Sequence, residues 1–275
     1  MMQRRSWMMG VAGLALVCSA VQADQLGDIQ KKGELVVGVL GTDEPLSFID
    51  AKTRELVGYD VDLGRAVAQK LGVKPVFKQI TLAARIPELQ QGHIDLLAAS
   101  LTHNKEREAQ IDFSLTTFIT SQKVLVKASS PIKDVPELAG KRVVTAKGSS
   151  MEVNIRRAVP TANVITFDTS PQAFVALQQG KAVGIVNDDV SLLRALTQLG
   201  DQRKEYRLLP TKLSIEPIAL GIKKGEAGFK KAVDDTLREL EANGKAEALY
   251  ERWFGQQSAL KMPKRDFKID SDKID

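Results

Sequence analysis

The sequence predicts an α/β fold built as two similar lobes. Short apolar strands alternate with amphipathic helices over residues 35–98, which is typical of βαβ units and a mostly parallel sheet. The same alternation starts again at residue 142. The tetrapeptide Leu-Gln-Gln-Gly also recurs, at 89–92 and 177–180, and each copy ends a helix and leads into a strand. The repeated order predicts two lobes of related construction.

The first lobe contains three predicted strands and two predicted helices. Asp60 follows Gly58 and can cap the first helix, because its carboxylate can accept a hydrogen bond from the first turn. Gly72 can end that helix in a left-handed conformation. The predicted elements are a strand over 35–39, a helix over 61–71, a strand over 73–80, a helix over 85–91 and a strand over 94–98.

The second lobe repeats this order. Ser170 is a candidate helix cap, because Pro171 follows it at the first helical position. The predicted elements are a strand over 142–146, a helix after Gly148-Ser149-Ser150, a strand over 163–167, a helix over 170–180 and a strand over 182–186.

Two extended segments, 122–127 and 215–223, lie between the two patterns and after the second one. They predict a two-strand hinge that carries the chain into the second lobe and back. The alternative is a single doubly wound domain with an insertion. Two helices with apolar faces and a charged tail follow, and we expect the tail to be extended or frayed. The predicted boundaries are residues 24–122 plus 216–255 for lobe 1, 123–215 for lobe 2 and 256–275 for the tail.

Residues 1–23 have the order of a secretory signal peptide. Arg4 and Arg5 form a basic start, an apolar run over 8–17 follows, and Val21-Gln22-Ala23 is a small-residue cleavage site. The run is shorter than the roughly 20 residues that span a bilayer. Cys18 leaves open a lipoprotein signal, and a buried N-terminal helix is the other alternative. A cleaved signal predicts a periplasmic protein without cysteine.

Composition excludes several classes of protein. Aromatic residues make up 5% of the chain, which argues against a nucleic-acid binder that stacks bases on aromatic rings. The net charge of +5 suggests an acidic partner, but it falls to +3 without Arg4 and Arg5 and requires neither nucleic acid nor a membrane. The 43% hydrophobic content is sufficient for a folded core.

Motifs of common enzymes are missing from the sequence. It contains no G-x-S-x-G and no G-x-x-x-x-G-K-[ST], and no G-x-G-x-x-G follows the first strand. His93 and His103 cannot form an H-E-x-x-H zinc site, although one histidine with several carboxylates leaves metal binding possible. The sequence therefore predicts neither catalytic residues nor a cofactor or metal.

A candidate anion site begins just after the strand over 94–98. Ser100, Thr102 and Arg107 follow the carboxyl end of that strand, the edge where open α/β sheets bind ligands. Two hydroxyls and an arginine suit a carboxylate, since the guanidinium donates two parallel hydrogen bonds. A solvated helix start with Arg107 in surface ion pairs is the alternative interpretation.

Several motifs, taken in order, resemble the bacterial periplasmic solute-binding proteins of family 3, which serve polar amino-acid ABC transporters. The resemblance covers residues 35–254 and implies the periplasmic-binding-protein (Venus flytrap) fold, with two Rossmann-like lobes. The motifs that carry it are Gly58-Tyr59-Asp60-Val61-Asp62-Leu63, Ser100-x-Thr102-x4-Arg107, Asp112-Phe113-Ser114, Gly140-Lys141-Arg142-Val143, Asn187-Asp188-Asp189 and Trp253-Phe254-Gly255.

This resemblance implies a role for each site residue. Arg107 binds the α-carboxylate of a free amino acid, and Thr102 adds its hydroxyl and backbone N–H. The Ser100 carbonyl accepts from the ammonium group. Ser150, at a helix N-terminus of the second lobe, donates to the carboxylate. Asp188 binds the ammonium group, so that the ligand bridges the two lobes and favours their closure.

The motif around Arg85 is similar to that of the glutamate/aspartate-binding branch, in which this arginine meets the side-chain carboxylate of the ligand. Leu40 departs from that branch, which often has a basic residue there. Asp43 replaces an aromatic ring and would repel an acidic side chain, unless it pairs with Arg85 or caps a turn. Glutamate or aspartate is therefore the favoured ligand, and glutamine, asparagine or another polar amino acid is the alternative.

The sequence thus predicts a monomeric binding protein that captures a free L-amino acid and delivers it to an inner-membrane ABC permease. A periplasmic enzyme of the cyclohexadienyl dehydratase type is the alternative on the same fold. Such an enzyme requires a carboxylic acid in the cleft, which Asp43 or Asp188 could supply. The Asp188 motif argues against it.

Overall fold

A computed structural model describes residues 24–272 of the chain. The predicted signal peptide, with Cys18, lies outside the described residues, so its cleavage and the lipoprotein alternative stay predictions. Within residues 24–272, no helix combines the length and the hydrophobicity needed to cross a membrane.

The first half of the described chain contains four helices and seven strands. They are α1 (Gln25–Lys32), β1 (Glu34–Val39), β2 (Thr42–Asp43), β3 (Ser47–Ile49), β4 (Leu56–Val57), α2 (Tyr59–Leu71), β5 (Lys74–Gln79), α3 (Arg85–Gln90), β6 (Leu96–Leu97), α4 (Lys105–Glu108) and β7 (Asp112–Lys127).

The second half of the described chain adds five helices and five strands, with 3-10 turns over Val135–Leu138 and Gly200–Glu205. They are β8 (Arg142–Ala146), α5 (Ser150–Ala158), β9 (Asn163–Phe167), α6 (Ser170–Gln178), β10 (Gly184–Asp188), α7 (Asp189–Gln198), β11 (Tyr206–Leu208), β12 (Ser214–Ile222), α8 (Ala227–Ala242) and α9 (Lys245–Trp253).

Nine strands form one curled sheet, in the order β5-β1-β6-β12-β7-β10-β8-β9, with β11 paired to β7. The outer strands pair in parallel, as the alternation of strands and helices predicts. The central pair, β7 and β12, is antiparallel and joins the two ends of the sheet. Both predicted hinge segments lie within this pair. A separate antiparallel sheet, β2-β3-β4, projects Asp43 toward the gap between the lobes.

Four apolar clusters support the two ends of the sheet. Two of them lie mainly in the first lobe, around Tyr59 and Phe118 and around Leu89. The other two lie in the second lobe, around Val143 and around Leu177. Val190 is the exception, because it belongs to α7 of the second lobe but packs into the first cluster of the first lobe. This contact brings the start of α7 against the opposite lobe.

Two predicted helix caps are wrong. The first helix begins earlier than expected because Gly58, at φ 135°, turns the chain directly into Tyr59. Asp60 therefore lies inside the first turn, where it is free to accept a hydrogen bond from the backbone of Ser100. At α6 the cap is Thr169, which exchanges hydrogen bonds with Gln172, and Ser170 is the first helical residue.

The tail has no helix or strand over residues 256–272, but it is docked rather than frayed. Leu260 and Ile269 are buried in the first cluster of the first lobe. Arg265 is 6% exposed and donates to Glu241 and Glu247 of α8 and α9 at 2.7 and 2.8 Å. The expectation of a frayed tail is wrong because its sequence alternates charges with these apolar anchors.

Trp253 closes α9 and ties it to the small sheet. Its indole N–H donates to Asp62 at 2.9 Å. Its ring meets the ring of Phe48 edge to face, with centroids 5.9 Å apart. Phe48 belongs to β3, whose register places it opposite Thr42, next to Asp43.

Candidate functional site

The predicted site residues converge on the gap between the lobes. Six of the seven line one cavity of about 30 Å³, which has room for a water molecule or two. They are Asp43, Arg85, Ser100, Thr102, Ser150 and Asp188. A free amino acid needs more space than this, so the lobes or their side chains must move apart to admit one.

Arg107 lies just behind this cavity, in an adjoining groove that also contains Thr102 and Ser150. It sits on the short helix α4, whose cap, Asn104, accepts from its backbone N–H at 2.9 Å. The guanidinium donates to the carbonyls of Thr102 at 3.0 Å and Gly148 at 3.4 Å. Burial lowers its pKa below the usual value, and Glu216 opposes that effect.

Thr102 and Ser150 bridge the two lobes. Their hydroxyl oxygens are 3.0 Å apart, and both residues are buried. Ser150 is the first residue of α5, behind the cap Ser149. The N-terminus of this nine-residue helix exposes backbone N–H groups beside Arg107, an arrangement that favours a carboxylate.

Ser100 has a strained backbone that turns its two peptide groups in different directions. Its φ is 50°, in the left-handed region. Its N–H donates to the carboxylate of Asp60 at 2.8 Å, and its carbonyl accepts from Arg85 at 2.8 Å. Burial raises the pKa of Asp60 to about 7, although the Ser100 N–H and Arg85 lower it. The carbonyl predicted to accept from a ligand ammonium thus already has one donor.

Arg85 is buried and holds backbone from both lobes. Its guanidinium donates to four carbonyls, which occupy four of its five N–H donors. The acceptors are Leu82 at 2.9 Å, Ala99 at 3.0 Å, Ser100 at 2.8 Å and Gly148 at 3.2 Å. Burial lowers its pKa, as does neighbouring Arg107, while Asp43 and Asp60 raise it.

Asp188 is the last residue of β10 and the N-cap of α7. Its carboxylate accepts from the backbone N–H of Ser191 at 2.8 Å and from the Ser191 hydroxyl at 3.0 Å. That hydroxyl also lies 3.4 Å from the carboxylate of Asp43, across the gap. The pKa of Asp43 is raised to about 8, because burial first and then Asp188 and Asp60 outweigh Ser100 and Arg85, which lower it.

The hinge contributes a polar network that the sequence analysis missed. Gln122 of β7 donates to the Ser150 hydroxyl at 2.8 Å, and Asn154 of α5 donates to Gln122 at 2.9 Å. Asn154 also donates to one carboxylate oxygen of Glu216 at 3.0 Å, and Ser214 donates to the same oxygen. The only available signal was the position of Gln122 and Glu216 in the two extended segments.

An ion pair also crosses the mouth of the cleft. Arg194 of α7 donates to the carboxylate of Glu44, which follows β2 in the opposite lobe. Their side chains are 19% and 32% exposed, so the pair is partly shielded from water. Sequence analysis could not find it, because the two residues lie 150 positions apart.

The carboxylates near the cavity are not arranged as a metal site. Among residues 24–272, no group of three or more His, Cys, Asp or Glu side chains is placed to hold a metal ion. The chemistry that the cavity does provide is that of a binding site. The cavity lining holds a guanidinium, the first residues of α5 and three carboxylates.

Comparison with known proteins identifies the group to which this architecture belongs. The chain is 31% identical over 240 residues to the ABC transporter glutamine-binding protein of Bacillus subtilis, with 86% of each chain covered. It is 30% identical over 258 residues to the L-glutamate/L-aspartate-binding protein of Pseudomonas aeruginosa, with 88% of this chain and 85% of that one covered.

A solved structure of an ancestral arginine-binding protein bound to arginine is also similar, with a TM-score of 0.76 and 33% identity over 81% of this chain and 99% of that one. The predicted two-lobe α/β fold is therefore confirmed. The model of the bacterial extracellular solute-binding proteins, family 3, matches residues 35–256, and the chain belongs to that family.

Proposed function

We propose that this protein captures a free polar L-amino acid between its lobes and delivers it to an ABC permease of the inner membrane. In this proposal it acts in the periplasm, as a monomer and without catalysis. Arg107 and the N-terminus of α5 hold the α-carboxylate, with hydroxyls from Thr102 and Ser150. Asp188 holds the ammonium group from the other side.

One observation carries the proposal. A buried guanidinium, that of Arg107, lies beside the N-terminus of α5 in the groove that adjoins the cavity, and a buried carboxylate, that of Asp188, belongs to the cavity lining. An amino acid zwitterion has the matching pair of charges. Because Arg107 and Asp188 belong to opposite lobes, a bound zwitterion stabilises the closed state.

Glutamate or aspartate is the ligand that the Arg85 motif favours, and glutamine is the alternative. The contacts of Arg85 weigh against an acidic side chain, since four of its five N–H donors already meet backbone carbonyls. The relatives bind different amino acids by name, so the side chain of the ligand has to be argued from the cleft itself.

Calorimetric titration with the twenty amino acids tests the proposal. The protein is first unfolded and refolded, which removes any ligand carried through purification. We expect saturable binding of at least one polar L-amino acid at one site per chain. If none of the twenty binds, the proposed function is wrong. Turnover of prephenate or arogenate in a parallel assay would instead support the dehydratase alternative.

A further inference from the structure

We propose that the cleft selects an amino acid with a cationic side chain, and that Asp43 is the acceptor that determines this preference. The inference rests on the proposed function, because it concerns the same ligand. It differs from the preference for glutamate or aspartate that the Arg85 motif suggested.

The charges around the cavity are mostly negative. Three carboxylates line it, those of Asp43, Asp188 and Glu216, against the single guanidinium of Arg85. Directly behind the lining, Asp60 contacts the backbone of Ser100 and Arg107 contacts the backbone of Thr102. These two residues add one acidic and one basic group, so they leave the balance of charge unchanged. A zwitterion leaves this excess unchanged, an acidic ligand increases it and a basic ligand reduces it. Burying unpaired charge is unfavourable, so a basic ligand is favoured in the closed cleft.

The carboxylate of Asp43 is short of hydrogen-bond donors, because the hydroxyls of Ser100 and Ser191 are its donors among the described residues. A single hydroxyl, that of Ser191, lies within reach of both Asp43 and Asp188, and it can donate to only one of them at a time. Arg85 offers at most one further donor, because four of its five N–H groups already meet backbone carbonyls.

Glu216 gives independent evidence of the same shortage. This residue is 5% exposed and lines the cavity from the hinge. One carboxylate oxygen accepts from Asn154 and Ser214, whereas the other is buried without a hydrogen-bond partner among the described residues. A carboxylate side chain brings only acceptors, but a lysine ammonium brings three donors and an arginine guanidinium brings five.

The pKa of Asp43 supports selection of a ligand with a cationic side chain. The pKa of Asp43 is raised to about 8 by burial and by Asp188 and Asp60, so a proton competes with a cationic side chain for this carboxylate near neutral pH. Arg85 opposes that shift, and the nearby Glu44 is paired with Arg194. A cationic side chain replaces the proton, so affinity for a basic ligand rises as the pH passes upward through about 8.

Matched ligand pairs test the proposal in the refolded wild-type protein. Lysine is compared with norleucine and arginine with citrulline, because each pair differs mainly in side-chain charge. We expect the charged member to bind about tenfold to a hundredfold more tightly, the range given by one charge-assisted hydrogen bond. Glutamate and aspartate should bind more weakly than both basic amino acids.

Two variants locate the preference. Asp43→Asn keeps the shape but removes the charge, and it should bring the affinities within each pair close together. The matched control is Asp201→Asn, because Asp201 is fully exposed and its nearest cation, Lys204, is 3.9 Å away. The control should keep the wild-type preference.

The possible outcomes separate the two proposals. If glutamate, aspartate or glutamine binds more tightly than every basic amino acid, the cationic-ligand inference is overturned while the proposed function stands. An Asp43→Asn protein that keeps the full preference for charge also overturns it. If no amino acid binds, the proposed function fails first.

Discussion

At the scale of single residues, spacing along the chain predicted which residues come together only where those residues are close in sequence. Ser100, Thr102 and Arg107 follow one strand, and the structure brings them together around one end of the cavity. Arg85 and Glu216 show the opposite case. Their environments depend on backbone from distant segments, so their contacts could not be predicted from the sequence.

Arg107 gives the most direct test at this scale. Arg107→Ala removes the guanidinium that is proposed to hold the α-carboxylate, a group that every amino acid has whatever its side chain. Charge-assisted hydrogen bonds contribute about 1.5–3 kcal/mol each, so we expect binding to weaken by about 2–4 kcal/mol in calorimetric titration. Arg238→Ala is the control, because Arg238 is exposed and its one ion pair among residues 24–272 is with Asp235. An unchanged dissociation constant for Arg107→Ala would remove this residue from the site.

At the scale of elements, α7 contributes a residue to the cavity and two contacts with the opposite lobe. Its cap, Asp188, lines the cavity, Val190 packs into the first lobe and Arg194 pairs with Glu44 across the mouth. The cap and the first two turns of one helix therefore contact the opposite lobe or the cavity. A movement that separates the lobes would break these contacts, so we expect the helix to act as a latch.

The Glu44–Arg194 pair should slow ligand release. Glu44→Gln removes one charge of the latch, so we expect ligand to dissociate about threefold to fivefold faster, in line with roughly 1 kcal/mol for a partly exposed pair. Stopped-flow dissociation measures this rate. The matched control, Glu239→Gln, breaks the exposed pair with Lys70 outside the cleft.

A double-mutant cycle completes this test. Adding Arg194→Gln to Glu44→Gln should cause little further change, because the pair is already broken. Effects that add independently would mean that the two residues act separately and that no latch exists.

The presence of a helix or strand was predicted better than the residues at which it begins and ends. The strands over residues 142–146 and 163–167 have the predicted bounds, because short runs rich in β-branched residues favour strands. Caps depend on local geometry among several candidate residues, which is why Thr169 rather than Ser170 begins α6. The hinge segment 122–127 was found, but its extension back to Asp112 was not, because residues 112–121 mix polar and apolar side chains.

At the scale of the whole molecule, the first lobe contains both ends of the described chain. The tail returns to β7, where the N–H of Thr116 donates to the carbonyl of Ser271 at 2.8 Å. The lobe boundaries at residues 122 and 216 stay predictions, because the sheet runs without interruption through β7 and β12.

The docked tail should stabilise the first lobe. Ile269→Ala removes a side chain that is 1% exposed, and such truncations cost about 2–5 kcal/mol. For a chain of this size we expect the melting temperature to fall by about 4 °C or more, measured by calorimetry. Asp270→Ala, at an exposed neighbouring position, is the control. Equal melting temperatures for the two variants would contradict a packed tail.

The contact between Trp253 and Phe48 gives the molecule an optical readout. Trp253 is the only tryptophan after residue 23, so tryptophan emission comes from one ring in a chain that begins at Asp24. That ring touches the strand that is paired with the segment carrying Asp43. Any movement of this segment as the cleft fills alters the surroundings of the indole, so ligand capture can be followed by fluorescence without attaching a dye.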